Sequence, residues 1–430
     1  MTRIAFIGAG SVEFTRNLLG DILTFPELAE AEIVLHDISA ERLATAEAMA
    51  RWTAAEVGAR PAIESQPDRR RALDGADFAI NTIEVGGLAA TRLDFDIPRK
   101  YGLRQTIADT SGVGAVFRAL RTIPVLLSIA DDMTELCPQA WMLNYTNPMA
   151  MNCWAWYGGS LHQNIVGLCH SIQNTSHQVA EYVGVDPAEV TFLGAGVNHM
   201  SWVLRLEKDG ESLYPALDAA IAADPEGLGR HVRVEIYKRF GYFPTESSEH
   251  FAEYVPWFMR DDAQIERLRI PVDEYIRRSE ENIGFYEDEK RKLAAGEPFE
   301  IERSGEYASL IIHSMVTGQP RTVYGNVRNT GLITNLPPNA CVEVPCLVDR
   351  AGLQPTFVGD LPAQCAALDR TFLNVVELTV RAALDGRRDH VHQAVLLDPN
   401  ASATLSPAQI EAMVEEMLAA ERDLVPESLR

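Results

Sequence analysis

The amino-acid sequence predicts an α/β protein in two parts: a parallel-sheet domain over residues 1–195 and a mixed α+β domain over 196–430. Three observations carry that expectation. Short apolar runs alternate with amphipathic stretches in the first third of the chain, the first of these runs ends in a glycine-containing turn, and the alternation fades after about residue 195. A chain of 430 residues is also too long for one small core.

In order along the chain, RIAFI (3–7) is a short apolar run, after which GAGS turns into VEFTRNLLGDILTF. AEIVLHDIS (31–39) ends near an acidic residue and leads into the helical pattern AERLATAEAMARWTAAEVG, and ADFAINTIEVGG (76–87) supplies a third strand. This spacing of strand and helix is that of a parallel α/β unit, whose ligand binds beyond the carboxyl ends of the strands. Residues 112–138 read as one long helix, broken or bent near Pro124. AWMLNYTNPMAMNCWAW gives a strand, a turn at TNP and a new helix, and QNIVGLCHS (163–171) is the next strand and its end. AEVTFLGAGVNHMSWVLRLEKDGES reads as paired strands around a loop, and a late strand-like stretch, RTVYGNVRNTGLITNLPPNACVEVPCLVD, lies between long helices. The last helix starts at Ser406, with Pro407 at its first position and Gln409 where a capping box needs it.

Hydrophobic residues make up 47% of the chain and charged residues 23%, as in ordinary globular enzymes. A formal charge of -23 argues against nucleic acid or an anionic membrane as partner, because phosphate binding needs basic clusters. No apolar run is expected to span a bilayer, and MTRIAFIGAG lacks the architecture of a signal peptide. Six cysteines without a CxxC pair predict reduced thiols and a cytoplasmic protein.

FIGAGSVEF places Gly8, Gly10 and Ser11 between a strand and a helix, where backbone N–H groups can approach a pyrophosphate. This is the turn of a Rossmann-like domain, although Glu13 stands where a third glycine is usual; the alternative is an ordinary βα turn. Asp37 closes the second strand, where a carboxylate accepts hydrogen bonds from an adenosine ribose and repels a 2′-phosphate, so NAD is the expected cofactor. Asp37 can instead cap the helix that follows. Asn147 ends another strand and can shape the nicotinamide side of the cleft, or form a simple Asx turn.

Cys169 ends a strand that points into the same crevice, and GAGVNHMSW presents His199 thirty residues later. A thiolate and an imidazole leave coordination positions free, as an open divalent-metal site requires; buried structural residues or a thiol nucleophile are the other readings. Asp109 comes from TIADTSGVG, and TESSEHFAEYVPWF (245–258) contributes Glu246, Glu249, His250, Glu253 and Tyr254 or is simply a solvated helix. Arg92 and Arg118 lie near crevice loops and can hold substrate oxygens or form surface salt bridges.

FIGAGS, QTIADTSGVGAVFRALRTIP, MLNYTNPMAMN, GLCHS, GVNHM and GYFPTESSEHFAEY together resemble glycoside hydrolase family 4, the NAD- and metal-dependent glycosidases that stand outside the two-carboxylate scheme. CHSI is similar to the Cys-His-Ser-Val type of the α-galactosidase branch, and relatives acting on α-glucosides, α-glucuronides or α-sulfoquinovosides share the scaffold. The resemblance implies a lactate/malate dehydrogenase-like fold and a homodimer or homotetramer. It implies that Cys169 and His199 hold Mn2+, that Gly8, Gly10, Ser11, Asp37 and Asn147 hold NAD, and that Arg92 and Asn147 contact the sugar. Asp109 would support the base. His170 stands where several relatives carry an aspartate acid, and Tyr254 is the expected base, with His250 or Glu253 as alternatives.

The implied reaction oxidises sugar C3, which acidifies the C2 proton, so that elimination expels the C1 substituent. Water addition and hydride return then make the net change hydrolysis of a small-molecule glycoside. A hydroxy-acid-type dehydrogenase would consume NAD stoichiometrically, and a nucleotide-sensing protein without turnover would need no metal.

Overall fold

The computed structural model describes residues 1–301 and 303–430. Its strands are β1 (Arg3–Ile7), β2 (Glu32–His36), β3 (Ala62–Ser65), β4 (Phe78–Asn81), β5 (Trp141–Asn144), β6 (Ile165–Gly167), β7 (Thr191–Val197), β8 (Met200–Lys208), β9 (Glu211–Ser212), β10 (Phe243–Pro244), β11 (Arg321–Arg328), β12 (Cys341–Asp349) and β13 (Gly352–Pro355). They form one sheet in the order β10-β8-β7-β12-β11-β6-β5-β4-β1-β2-β3, with β9 beside β8 and β13 beside β12.

The block β3-β2-β1-β4-β5-β6 is wholly parallel. That is the Rossmann order, with its reversal point between β1 and β4. β1, β2, β4 and β5 are almost entirely buried, which explains why the sequence shows them as near-continuous apolar runs. The strand expected third is fourth in the chain. β3 (AIES) escaped notice because it is a half-exposed edge strand of four residues with charge on one face.

The second half continues the same sheet in antiparallel sense. β11 pairs with β6 on one side and β12 on the other, and β7–β8 is the expected pair of strands around a short turn. The residue 195/196 division expected from sequence lies within β7. Aligned residues Asn81, Asn144, Gly167, Asn326, Glu343 and Gly196 form a transverse row at the level of the carboxyl ends of the parallel strands.

The Gly112–Leu136 helix runs unbroken through Pro124, contrary to the expected interruption. Pro124 is on its exposed face, where the missing N–H leaves no group stranded in the core. This helix corrects a second expectation: by length and composition alone it could cross a membrane, but 78% of its apolar window is buried within the fold, which makes it a core helix. Its Arg121 donates to Asp94 at 2.6 Å, to Glu421 at 3.1 Å and to the Val85 carbonyl at 3.0 Å. Those bonds tie the C-terminal segment to the rim of the crevice. Ser406 caps the last long helix in the expected capping box with Gln409.

Candidate active site

A crevice of about 1200 Å³ opens beyond the carboxyl ends of β1, β2, β4 and β5. At one end is the glycine turn. Gly8 has φ +89°, and a Cβ there would lie 2.9 Å from the Ile83 nitrogen; a Cβ on Gly10 would lie 2.5 Å from the Asp37 carboxylate. Both positions therefore require glycine. Asp37 accepts the Gly10 and Ser39 N–H groups at 2.8 Å each, and it is Ser39 that caps the following helix. The capping alternative for Asp37 thus falls away. Ser11 precedes the Val12–Leu23 helix without capping it through its side chain and lines the crevice, as does Glu13. The Glu274–Ala295 helix, from the second half of the chain, adds Tyr275, Ile283, Phe285 and Tyr286 to the lining.

Toward the other end the chain gathers the titratable groups singled out in the sequence. His199 occupies the two-residue turn between β7 and β8 with φ +64°, while Ala108 (φ +53°) and Glu246 (φ +72°) also adopt the left-handed backbone. Three segments feeding one cluster thus hold conformations that side chains seldom adopt, as functional sites often do. His199 Nε2 lies 3.4 Å from the Cys169 sulfur and 3.2 Å from Glu246 Oε2. Its Nδ1 lies 3.0 Å from Thr110 Oγ1 and 3.2 Å from Tyr254 Oη.

Thr110 Oγ1 donates to Asp109 Oδ1 at 2.9 Å, so this hydroxyl accepts from His199 Nδ1–H. With the ring neutral, as a metal ligand requires, that tautomer leaves the Nε2 lone pair pointing at Cys169 and Glu246. Asp109 also accepts from Asn147 Nδ2 at 2.9 Å, and His250 Nε2 stands 3.8 Å from it. Two donor sets lie within metal-binding reach: Cys169, His199 and Glu246, and Asp109, His199 and His250.

The electrostatics of the first set favour a cation. Burial by itself would depress His199, but Glu246 and Cys169 push it up to about 10. Burial would likewise raise Glu246, yet His199 and His250 bring it down to about 2. Asp109 stays below the usual carboxylate range against the effect of burial, because His250, His199 and Arg118 surround it. Burial lowers His250 and raises Tyr254 far above a free phenol. Glu253, an alternative base, accepts the N–H groups of Thr106 and Ala108 at 2.8 Å each, and burial pushes it up to about 8.

His170 is half exposed in the crevice, with Nδ1 3.0 Å from Glu306 Oε1, and that hydrogen bond lifts it to about 9. Arg118 also faces the crevice, donating to the Tyr275 hydroxyl at 2.9 Å and to the Asn147 carbonyl at 3.3 Å. Arg92, on the Gly87–Lys100 helix, is 54% exposed, pairs with Glu280 at 2.8 Å and is not among the residues that line the crevice.

The structure therefore brings Cys169, His199, Asp109, Asn147 and Tyr254 into one contact network, sets His170 and the Gly8–Gly10–Ser11–Asp37 turn in the same crevice, and leaves Arg92 outside. Sequence reasoning did not single out Thr110, Glu306 or Tyr275, which lack motif spacing, and it gave Glu246 no ligand role. A glutamate three residues after Phe243 offers no signal until the left-handed backbone at Glu246 turns it inward.

A nucleotide-type turn in a crevice whose lining residues Asp109 and Asn147 are hydrogen-bonded, through Thr110, to the cysteine–histidine–carboxylate cluster defines the class, and the sequence comparisons give the family. Residues 3–185 match the model of family 4 glycosyl hydrolases and residues 194–401 that of the family 4 glycosyl hydrolase C-terminal domain: the chain belongs to glycosyl hydrolase family 4. It is 45% identical over 434 residues to an alpha-galactosidase of Bacillus subtilis (strain 168), with 99% of this chain and 100% of that one covered. It is 37% identical over 440 residues to an alpha-galactosidase of Rhizobium meliloti (strain 1021), covering 99% of this chain and 89% of that one. A crystal structure of a 6-phospho-alpha-glucosidase from gut microorganisms, in complex with NAD and Mn2+, is similar with a TM-score of 0.84 at 20% identity, covering 99% of both chains. That likeness speaks for the fold.

Proposed function

We propose that the protein hydrolyses terminal α-galactosides with NAD and Mn2+ as resident cofactors. The observation that carries this reading is the meeting of Cys169 Sγ, His199 Nε2 and a Glu246 oxygen within 4.8 Å of one another, with Cys169 from the half of the chain that holds the glycine turn and His199 and Glu246 from the other. Thiolate, imidazole and carboxylate suit a divalent ion and are too few to close its coordination shell, so a substrate can share it. The glycine positions, where a Cβ would collide with Thr82–Ile83 and Asp37, suit close backbone approach to a pyrophosphate. When bound, the dinucleotide supplies reversible hydride transfer and the ion supplies positive charge beside the sugar.

Asn147 and Arg118 hold sugar hydroxyls. Tyr254 Oη takes the C2 proton. Burial keeps that phenol protonated, and a cation at the neighbouring donor set favours its release. Asp109, fixed by Thr110 and Asn147, adds its field to the base. His170, held by Glu306, gives a proton to the leaving oxygen, and water addition runs both transfers in reverse.

An uncharged sugar is favoured over a phosphorylated or uronic one. Glu13, Glu84, Glu289 and Glu306 line the crevice, Arg42 is bound to the Gly10 carbonyl at 3.0 Å, and Arg118 stands 3.7 Å from Glu84. Galactose over glucose is supported by the CHSI stretch and by the names of the relatives.

Nitrophenyl α-galactoside, α-glucoside, α-glucuronide and α-sulfoquinovoside, each offered with Mn2+, NAD and a thiol reductant, test the assignment. Release from the galactoside without accumulation of reduced cofactor is expected. Preference for another glycoside moves the specificity within the family, and stoichiometric formation of reduced cofactor indicates a dehydrogenase. We further read the protein as a cytoplasmic homodimer or homotetramer. Its six free cysteines support a reducing compartment, and light scattering tests the subunit number.

A further inference from the structure

Cys169 and His199 follow strands that are not neighbours. β6 and β7 are separated by the β11–β12 pair, which is joined through eight aligned residues from Arg321↔Val348 to Arg328↔Cys341. The flanking connections are sparse. Among the described residues the strands lie side by side, but β6 is in ladder register with β11 through the one pair Gly167↔Asn326, and β7 with β12 through the one pair Gly196↔Glu343. Gly167 is two residues before Cys169, and Gly196 is three before His199.

At those two points side chains take over. Asn326 Nδ2 donates to the Gly167 carbonyl at 3.2 Å and to Glu343 Oε1 at 3.4 Å. Ser201, opposite Gly196 in the β7–β8 register, donates to Glu343 Oε2 at 2.9 Å. Asn326, Glu343 and Ser201 are all completely buried, and neither Asn326 nor Glu343 lines the crevice. The row keeps glycine on both flanks because a Cβ at Gly167 would lie 2.9 Å from the Asn326 Cβ, and one at Gly196 2.7 Å from the Met200 carbonyl. A buried carboxylate is costly, and an apolar side chain of similar volume would avoid the desolvation.

We propose that Glu343 and Asn326 are positioning residues for the metal pair, a side-chain bridge that fixes the separation of the strand ends presenting Cys169 and His199. It rests on the reading of those residues as Mn2+ ligands. The bridge stands in for the ladder that β6–β11 and β7–β12 lack, and it acts through Ser201 and the Gly167 carbonyl without touching the ion. Glutamine can replace Glu343: its oxygen accepts from Asn326, and its N–H donates to Ser201, whose hydroxyl then bonds the Val197 carbonyl at 3.1 Å.

Full-length E343V, E343Q and S201A test this by Mn2+ titration followed by electron paramagnetic resonance of the free ion, with NAD affinity and thermal unfolding measured alongside. E343V is expected to weaken Mn2+ about tenfold or more, S201A about threefold, and E343Q less than about threefold. NAD affinity should change by less than about twofold in all three. Unchanged Mn2+ affinity in folded E343V overturns the bridge, as does equal damage in E343Q, which would assign the effect to charge. Parallel loss of Mn2+ and NAD binding also overturns it, by assigning Glu343 to general stability. If E343V does not fold, S201A decides, and unchanged Mn2+ affinity there counts against the bridge. Failure of the unmodified protein to bind Mn2+ overturns the metal reading itself, and this inference with it.

Discussion

Nε2 of His199 faces the sulfur of Cys169 at 3.4 Å, so two strand ends thirty residues apart in sequence share one point in space. Replacing the thiol by a hydroxyl removes the softest donor at that point. C169S is expected to weaken Mn2+ binding about tenfold or more and to reduce turnover in proportion. Titration and kinetics that match the unmodified protein would rule out sulfur ligation.

Glu246 reaches the same nitrogen at 3.2 Å. E246Q keeps the shape and removes the charge, so Mn2+ affinity should fall about tenfold while NAD affinity holds. If Mn2+ affinity is unaffected, Glu246 is only a counter-ion to His199.

Deuterium at sugar C2 or C3 should slow turnover by a primary isotope effect, and C2 should exchange with solvent during the reaction. The C2 effect and the exchange follow from Tyr254 Oη acting on a carbon acid, and the C3 effect from hydride transfer to the dinucleotide. Loss of neither rate nor label would exclude proton abstraction at C2.

Arg118 and Arg92 separate the interior of the crevice from its surroundings. R118M should lower kcat/KM about 10- to 100-fold, the size expected for one or two charged hydrogen bonds. R92A, which breaks an ion pair between half-exposed partners, should change it less than about twofold. The opposite ranking would move the sugar toward the outer face of the Gly87–Lys100 helix.

Asp398 accepts the Ala401 N–H at 2.8 Å, its Oδ1 has no partner, and burial pushes it from 3.8 up to about 7. The folded state therefore holds this proton after the unfolded state has released it. Stability attached to that proton is complete below pH about 4 and drains away as pH rises to about 7. D398N keeps the cap and cannot titrate. Relative to D398N, the unmodified protein should lose up to about 1.4 kcal/mol per pH unit across that window, read from urea midpoints. Parallel pH profiles would show that Asp398 stays ionised.

Much of the nucleotide half was legible because buried parallel strands write themselves as apolar runs and because Gly8 and Gly10 mark a turn no other residue tolerates. Cys169 and His199 stood out for the same reason: each ends a readable strand. Glu246, Thr110 and Glu306 did not, since their roles depend on tertiary approach. Arg92 was less legible, because position on a helix, unlike position at a strand end, does not reveal which way the side chain points. The helix through Pro124 misled, its proline being tolerable only because that face meets solvent.

The continuous sheet has a mechanical consequence. Two-lobed enzymes usually admit their ligands by swinging one lobe about a hinge, but here β6–β11–β12–β7 is common flooring, and any such swing would tear Asn326 and Glu343 from their partners in a dry interior. The ground beneath the reacting ring therefore stays still, and the Glu274–Ala295 helix completes the walls that rise above it.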